Sequence, residues 1–225
     1  MFRWIFTAAL AALSFDVSAQ VPPTAAEVAG FSPLFLAAHS GTASDVEAAL
    51  AVSGDIDERD ANNRTAVHVA AFASNEAALT ALQKAGADMN ALDGQLYDAV
   101  TIAAVADDVE MVRHALKLGN RADLVTSIYD GTALIAAAHL GHAEVVAALI
   151  EGGAPLDHVN NLGWTALIEA VVLGDGGARH LATARFLLEA GADPAIGDRQ
   201  GVTPLEHARL RGFSEMARLI EAYEG

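Results

Sequence analysis

The chain has 225 residues, 53% of them apolar but only 6% aromatic, a balance that favours closely packed helices over a β-sandwich. A formal net charge of −16 sets it against phosphate backbones and anionic lipid, so nucleic acid is excluded as an expected partner. The absence of cysteine excludes disulfides, thiolate metal sites, cysteine nucleophiles and a cysteine-linked lipid anchor.

The first stretch reads as an address. Arg3 precedes an apolar run from Trp4 to Phe15, and Val17-Ser18-Ala19 comes next with small residues ahead of Gln20. This is the order of a secretory signal peptide over residues 1–19, with cleavage expected after Ala19 and a periplasmic or secreted mature chain. The run is too short for a bilayer, which needs ~20 residues, so no stable membrane anchor is expected after cleavage. Residues 20–29 read as a linker and a short capping segment. Pro22-Pro23 resists helix, and a helix over Ala25 to Ala29 is placed to shield the apolar segment that begins near Phe31.

From residue 30 onwards the chain repeats itself. Ser32-Pro33-Leu34-Phe35, Thr65-Ala66-Val67-His68, Asp98-Ala99-Val100-Thr101, Thr132-Ala133-Leu134-Ile135, Thr165-Ala166-Leu167-Ile168 and Thr203-Pro204-Leu205-Glu206 start 33, 33, 34, 33 and 38 residues apart. The first residue of each caps a helix, and Pro33 and Pro204 sit where no N–H is needed. Alanine pairs come after, such as Ala70-Ala71 and Ala137-Ala138. A second helical pattern then ends at glycine, as in Val145, Val146, Leu149 and Ile150 before Gly153. A polar turn segment separates each glycine from the next cap.

These six segments resemble the ankyrin repeat, whose consensus runs close to Thr-Pro-Leu-His-x-Ala-Ala early and Gly-Ala-Asp late. The resemblance covers residues 30–225 and implies an all-α solenoid of about six helix-turn-helix units with hairpin fingers. The repeats are expected near 30–62, 63–95, 96–129, 130–162, 163–200 and 201–225. The chain is similar to exported bacterial members of that family, which support a partner enzyme or neutralise a toxin. One repeat cannot bury its own apolar face, so stability is expected from stacking.

Two departures stand out. The third repeat carries Asp98 at the cap, Asp107-Asp108 in place of Gly-His, and Gly119-Asn120-Arg121 late, so a weaker or distorted unit is expected. The fifth repeat holds about five extra residues around Gly174 to His180, expected as a longer loop between its helices.

No catalytic or metal constellation stands out, so neither cofactor nor metal is expected and the chain reads as a non-enzyme. His68 and His142 occupy family positions that serve packing, and His39 and His139 lie three repeats apart. Gly174-Asp175-Gly176-Gly177 lacks the lysine and hydroxyl of a phosphate loop.

The expected function is protein binding through the concave face of finger tips and first helices. The residues assigned to that face are Arg64, Phe72, Tyr97, Tyr129, His139, Leu140, Leu162, Trp164, Leu173 and Arg199, in which scarce aromatics concentrate. The expected partner is a protein, such as a periplasmic enzyme or a toxin. Two alternatives are an accessory, regulatory or weakly enzymatic role for the 174–181 insertion, and a structural spacer.

Overall fold

The computed structural model describes residues 20–224; the expected signal peptide lies outside the described residues. A short helix, α1 (Ala25–Ala29), precedes six helix pairs. These are α2 (Pro33–Ser40) with α3 (Ala43–Ser53), α4 (Ala66–Phe72) with α5 (Glu76–Ala85), and α6 (Ala99–Val105) with α7 (Val109–Lys117). They continue as α8 (Ala133–Leu140) with α9 (Ala143–Glu151), α10 (Ala166–Val172) with α11 (Ala178–Glu189), and α12 (Pro204–Leu210) with α13 (Ser214–Glu221). Among the described residues there is no β-strand, only an isolated bridge between Thr126 and Gly131.

Local chemistry sets the helix starts. Ser32, Asp98, Thr132, Thr165 and Thr203 each accept a backbone N–H three residues on. In the second repeat His68 supplies the cap in reverse: its Nδ1 accepts the Thr65 N–H at 3.0 Å, and Nε2 then donates to the Tyr97 carbonyl at 3.0 Å. That arrangement requires a neutral ring, and burial holds the His68 pKa below 6.5.

First helices stack on first helices and second on second along the whole array. The first helices are close-packed through alanine: Ala70, Ala103, Ala104, Ala137, Ala138 and Ala170 are all buried. Each second helix sends one apolar stripe into the same core, for example Leu79 with Leu82, Met111 with Val112, and Val145 with Leu149.

Polar staples join successive repeats at the start of the second helices. The Asn75 amide donates to the Ala38 and Gly41 carbonyls at 3.1 and 3.0 Å, and His142 Nδ1 bonds the Ala104 carbonyl at 2.9 Å. His180 Nε2 meets the His139 carbonyl at 3.0 Å, and Arg211 donates to the Gly174 carbonyl at 3.0 Å. In the third repeat the staple changes polarity: Asp108 accepts the Ser74 hydroxyl at 2.5 Å while capping Met111. The helix pair of this repeat is therefore regular, and the expected distortion is confined to the finger that follows it. Aspartate does both jobs there, and α6 and α7 match their neighbours in length.

The insertion in the fifth repeat is divided. The α10–α11 connection has five residues (173–177) against three in the second and third repeats, and α11 runs for 12 residues where α7 and α9 have 9. The His180 ring fills the space beside Gly141 and Gly174: a Cβ on either glycine would come within 3.1 or 2.8 Å of it. The extra residues thus buttress the stack as well as lengthening the loop.

Candidate interaction face

The fingers project beside the first helices, and each closes on one backbone bond. Asp60, Asp93, Asn160 and Asp198 donate their N–H to the carbonyl four residues on, at 3.0, 2.9, 3.0 and 3.0 Å. Their side chains also accept two backbone N–H groups across the turn, as Asn160 Oδ1 does from Leu162 and Trp164, both at 3.0 Å. Adjacent fingers are tied together. The Gly94 N–H donates to the Asn62 carbonyl at 2.9 Å, and a Cβ there would lie 2.7 Å from that oxygen, so only glycine fits.

The finger before the fourth repeat differs. Thr126 replaces the aspartate, and its N–H reaches Gly131, five residues on, at 2.7 Å. Beside this longer finger, α8 presents the small Ala136. Together these leave a hollow of about 630 Å³, counting its open mouth, on the concave side of repeats three to five. Three successive fingers wall it with Tyr97, Tyr129 and Leu162. Helix α6 contributes Thr101 and Val105, α8 contributes Ile135 and His139, and α10 contributes Glu169 with Leu173 at its C-cap.

The lining is mostly apolar, with a polar seam. Glu169 is 4% exposed, accepts from the Asn160 amide at 2.8 Å, and lies 3.2 Å from His139 Nδ1. The Thr101 hydroxyl donates to Asp98 Oδ1 at 2.5 Å and sits 3.1 Å from the Thr126 hydroxyl. Burial pushes the Asp98 carboxyl up, and its second oxygen has no partner among the described residues. Burial, with Asp93 and Tyr129 nearby, also pushes the Tyr97 phenol up, so it stays a protonated donor.

Of the ten residues assigned to the face from sequence, this hollow gathers five: Tyr97, Tyr129, His139, Leu162 and Leu173. Two exposures need correction. Tyr97 is 7% exposed, so it is a wall and not a projecting anchor. Arg64 is 1% exposed and already committed: it bonds Asp60 at 2.6 Å, Glu27 of α1 at 2.7 Å and the Val21 carbonyl at 3.2 Å. Its guanidinium locks the N-terminal arm and does not face a partner.

The other four lie outside the hollow. Phe72 is half-buried against the core at the end of α4, and Leu140 is half-buried at the end of α8. Trp164 is half-buried at the base of its finger. Arg199 is exposed and bonds the Asn161 carbonyl of the neighbouring finger. Sequence reasoning missed Glu169, Asn160, Thr101, Thr126 and Ile135. Glu169 was open to detection, because the matching positions hold Leu36, Val69, Ile102, Ala136 and His207.

Residues 20–24 also touch the concave side. The Gln20 side-chain amide donates to the Thr101 carbonyl at 3.0 Å, at the rim of the hollow. Among the described residues the arm thus runs from the second finger to α6 of the third repeat.

Among the described residues no helix is long and apolar enough to cross a membrane, and no three or more His, Asp or Glu side chains are grouped to hold a metal ion.

Known proteins share this arrangement. A family profile described as Ankyrin repeats (3 copies) matches residues 100–198. The ankyrin repeat protein YahD of Escherichia coli (strain K12) is 37% identical over 188 residues, covering 83% of this chain and 93% of its own length. An ankyrin repeat domain from Acinetobacter baumannii AYE is 41% identical, covers 85% of this chain and 97% of its own, and superposes with a TM-score of 0.77. The ankyrin repeat protein EF0377 is 31% identical over 85% of this chain and 98% of its own, also with a TM-score of 0.77. With six stacked helix pairs joined by fingers, and with these identities over most of its length, the chain belongs to the ankyrin-repeat family.

Proposed function

We propose that this chain is a non-catalytic protein-binding module exported to the periplasm, holding its partner on the concave face of repeats three to five. Ankyrin repeats generally mediate protein–protein interaction, using a rigid concave surface whose residues vary independently of the core. The observation that carries the reading is the convergence of Tyr97, Tyr129, His139, Leu162 and Leu173, from three fingers and two helices, around one hollow. A spacer has no use for such a lining, since an apolar patch gathered around one hollow is the mark of an interaction site.

The 174–181 insertion gives little support to a catalytic reading. His180 Nδ1 lies 2.9 Å from Asp175, but its Nε2 is spent on the His139 carbonyl at 3.0 Å. Neither ring nitrogen is left to move a proton to or from a substrate.

The partner class that fits an exported member is a periplasmic enzyme or a toxin. Crosslinking in intact cells followed by co-purification identifies it. Replacing Tyr129 and Leu162 together by Ala is expected to weaken capture by roughly 30-fold or more with helical circular dichroism unchanged. Capture at full strength by that variant overturns the assignment of this face. Sequencing the mature N-terminus is expected to give Gln20 first, whereas a start at Met1 overturns export.

A further inference from the structure

Glu169 is out of place for a packing residue. It occupies a first-helix slot that holds Leu36, Val69, Ile102, Ala136 and His207 in the other repeats, yet it is 4% exposed and lines the concave hollow. Among the described residues each of its carboxylate oxygens has one polar neighbour, the Asn160 amide at 2.8 Å and His139 Nδ1 at 3.2 Å. A carboxylate accepts about four hydrogen bonds, so the group is half-used. Neither lysine nor arginine among the described residues lines the hollow. A buried acceptor of negative charge, short of donors and reached through an apolar mouth, is matched by a long side chain with an aliphatic stem and a cationic head.

We propose that this hollow takes a lysine or arginine side chain presented by the partner protein, its stem against Val105, Ile135, Leu162 and Leu173 and its head on Glu169. This rests on the protein-binding reading of the same face. The chain's charge of −16 reinforces it, drawing basic surfaces in and keeping acidic ones away. Tyr97 and Tyr129, on two successive fingers, present ring surface that a cation favours. An anionic anchor would meet a buried carboxylate with only His139 to offset it. An all-apolar anchor would seal that carboxylate from water with no added donor, which is costly.

The test uses the mature chain from Gln20 and four blocked tripeptides, acetyl-Gly-X-Gly-amide, with X as arginine, lysine, norleucine or glutamate. Methyl resonances of Val105, Ile135, Leu162 and Leu173 report occupancy. Arginine and lysine peptides are expected to shift them with dissociation constants on the order of 1 mM. The norleucine and glutamate peptides are expected to bind at least tenfold more weakly. Glu169→Gln keeps the shape and removes the charge, and is expected to weaken the basic peptides tenfold or more.

Leu173→Lys gives a second test that keeps the fold. The new ammonium stands four residues after Glu169 on the same helix, so it fills the site from within, and the basic peptides are expected to lose binding. If norleucine binds as well as lysine, or Glu169→Gln binds as the parent does, the cationic anchor is wrong while the concave face remains a binding surface. If none of the four peptides shifts these methyls, the anchor is equally overturned. Loss of partner capture in the Tyr129 and Leu162 variant separately decides the face itself.

Discussion

At the level of single residues, the fingers follow one backbone rule that the side chains obey unevenly. The fourth position of each aspartate- or asparagine-led finger is left-handed, with φ of 61° at Asn63, 64° at Leu96, 87° at Gly163 and 77° at Gly201. Asparagine and glycine accept that conformation readily, whereas leucine bears a steric cost of roughly 1 kcal/mol or more. Leu96 is 45% exposed, so little packing compensates. Leu96→Gly is therefore expected to stabilise the protein by about 0.5–1 kcal/mol after its gain in unfolded-state entropy, read as a rise in the urea midpoint with an unchanged slope. The same periodic comparison makes Glu169 visible, and there the departure sits in a hollow instead of a strained turn. Arg64 teaches the opposite lesson. A charged residue at a finger base reads as surface, but Glu27, Asp60 and Val21 all arrive around it, and two of those come from the N-terminal arm ahead of the repeats.

Between elements, small side chains set how closely first helices approach. Ala103 and Ala104 of α6 are fully buried, with α4 on one side and α8 on the other. Ala104→Leu inserts three carbons where neighbours already touch, so it is expected to destabilise by roughly 1–3 kcal/mol, measured by chemical denaturation. The two departures noted in the sequence resolve here as well. Asp98 caps α6 as Thr does in other repeats and Asp108 caps α7 as Asn75 caps α5, because a carboxylate accepts the same backbone donors. The extra residues before α11 lengthen a helix, because Arg179 and His180 find partners in earlier repeats. Arg179 reaches Asp107 at 3.0 Å, two repeats away, and His180 packs beside Gly141.

Across the whole molecule, the N-terminal arm docks along the concave side from the second finger to α6. Glu27 is its tie. The Thr24 backbone N–H and hydroxyl, and then Arg64, lower its pKa from 4.5 to about 2. A depressed carboxyl contributes stability that is complete above the unfolded value and disappears as the pH falls through the folded one. Docking of the arm is accordingly expected to hold down to pH 4.5 and to weaken progressively toward pH 2. Carbon-detected titration of the Glu27 carboxyl, with and without Arg64→Met, checks this: a depressed midpoint that rises in the variant means the arm is docked in solution, and one that does not respond means the Thr24 cap alone lowers it and the arm is not docked.

The sequence by itself determined the repeat, the helix pairs and their caps, because these arise from near-neighbour chemistry: periodic apolar residues, a capping side chain, a glycine at the end. It also placed half of the candidate face, since finger and first-helix slots project in a fixed direction once the repeat is known. Only the tertiary structure decided where a hollow opens. That depends on one extra finger residue before Gly131, a small Ala136 opposite it, and the convergence of side chains from three repeats. Only the tertiary structure, likewise, revealed Arg64 as a buried tie and Glu169 as a half-satisfied carboxylate. Burial and charge balance are properties of what surrounds a residue, and here the surroundings come from segments up to 43 positions away.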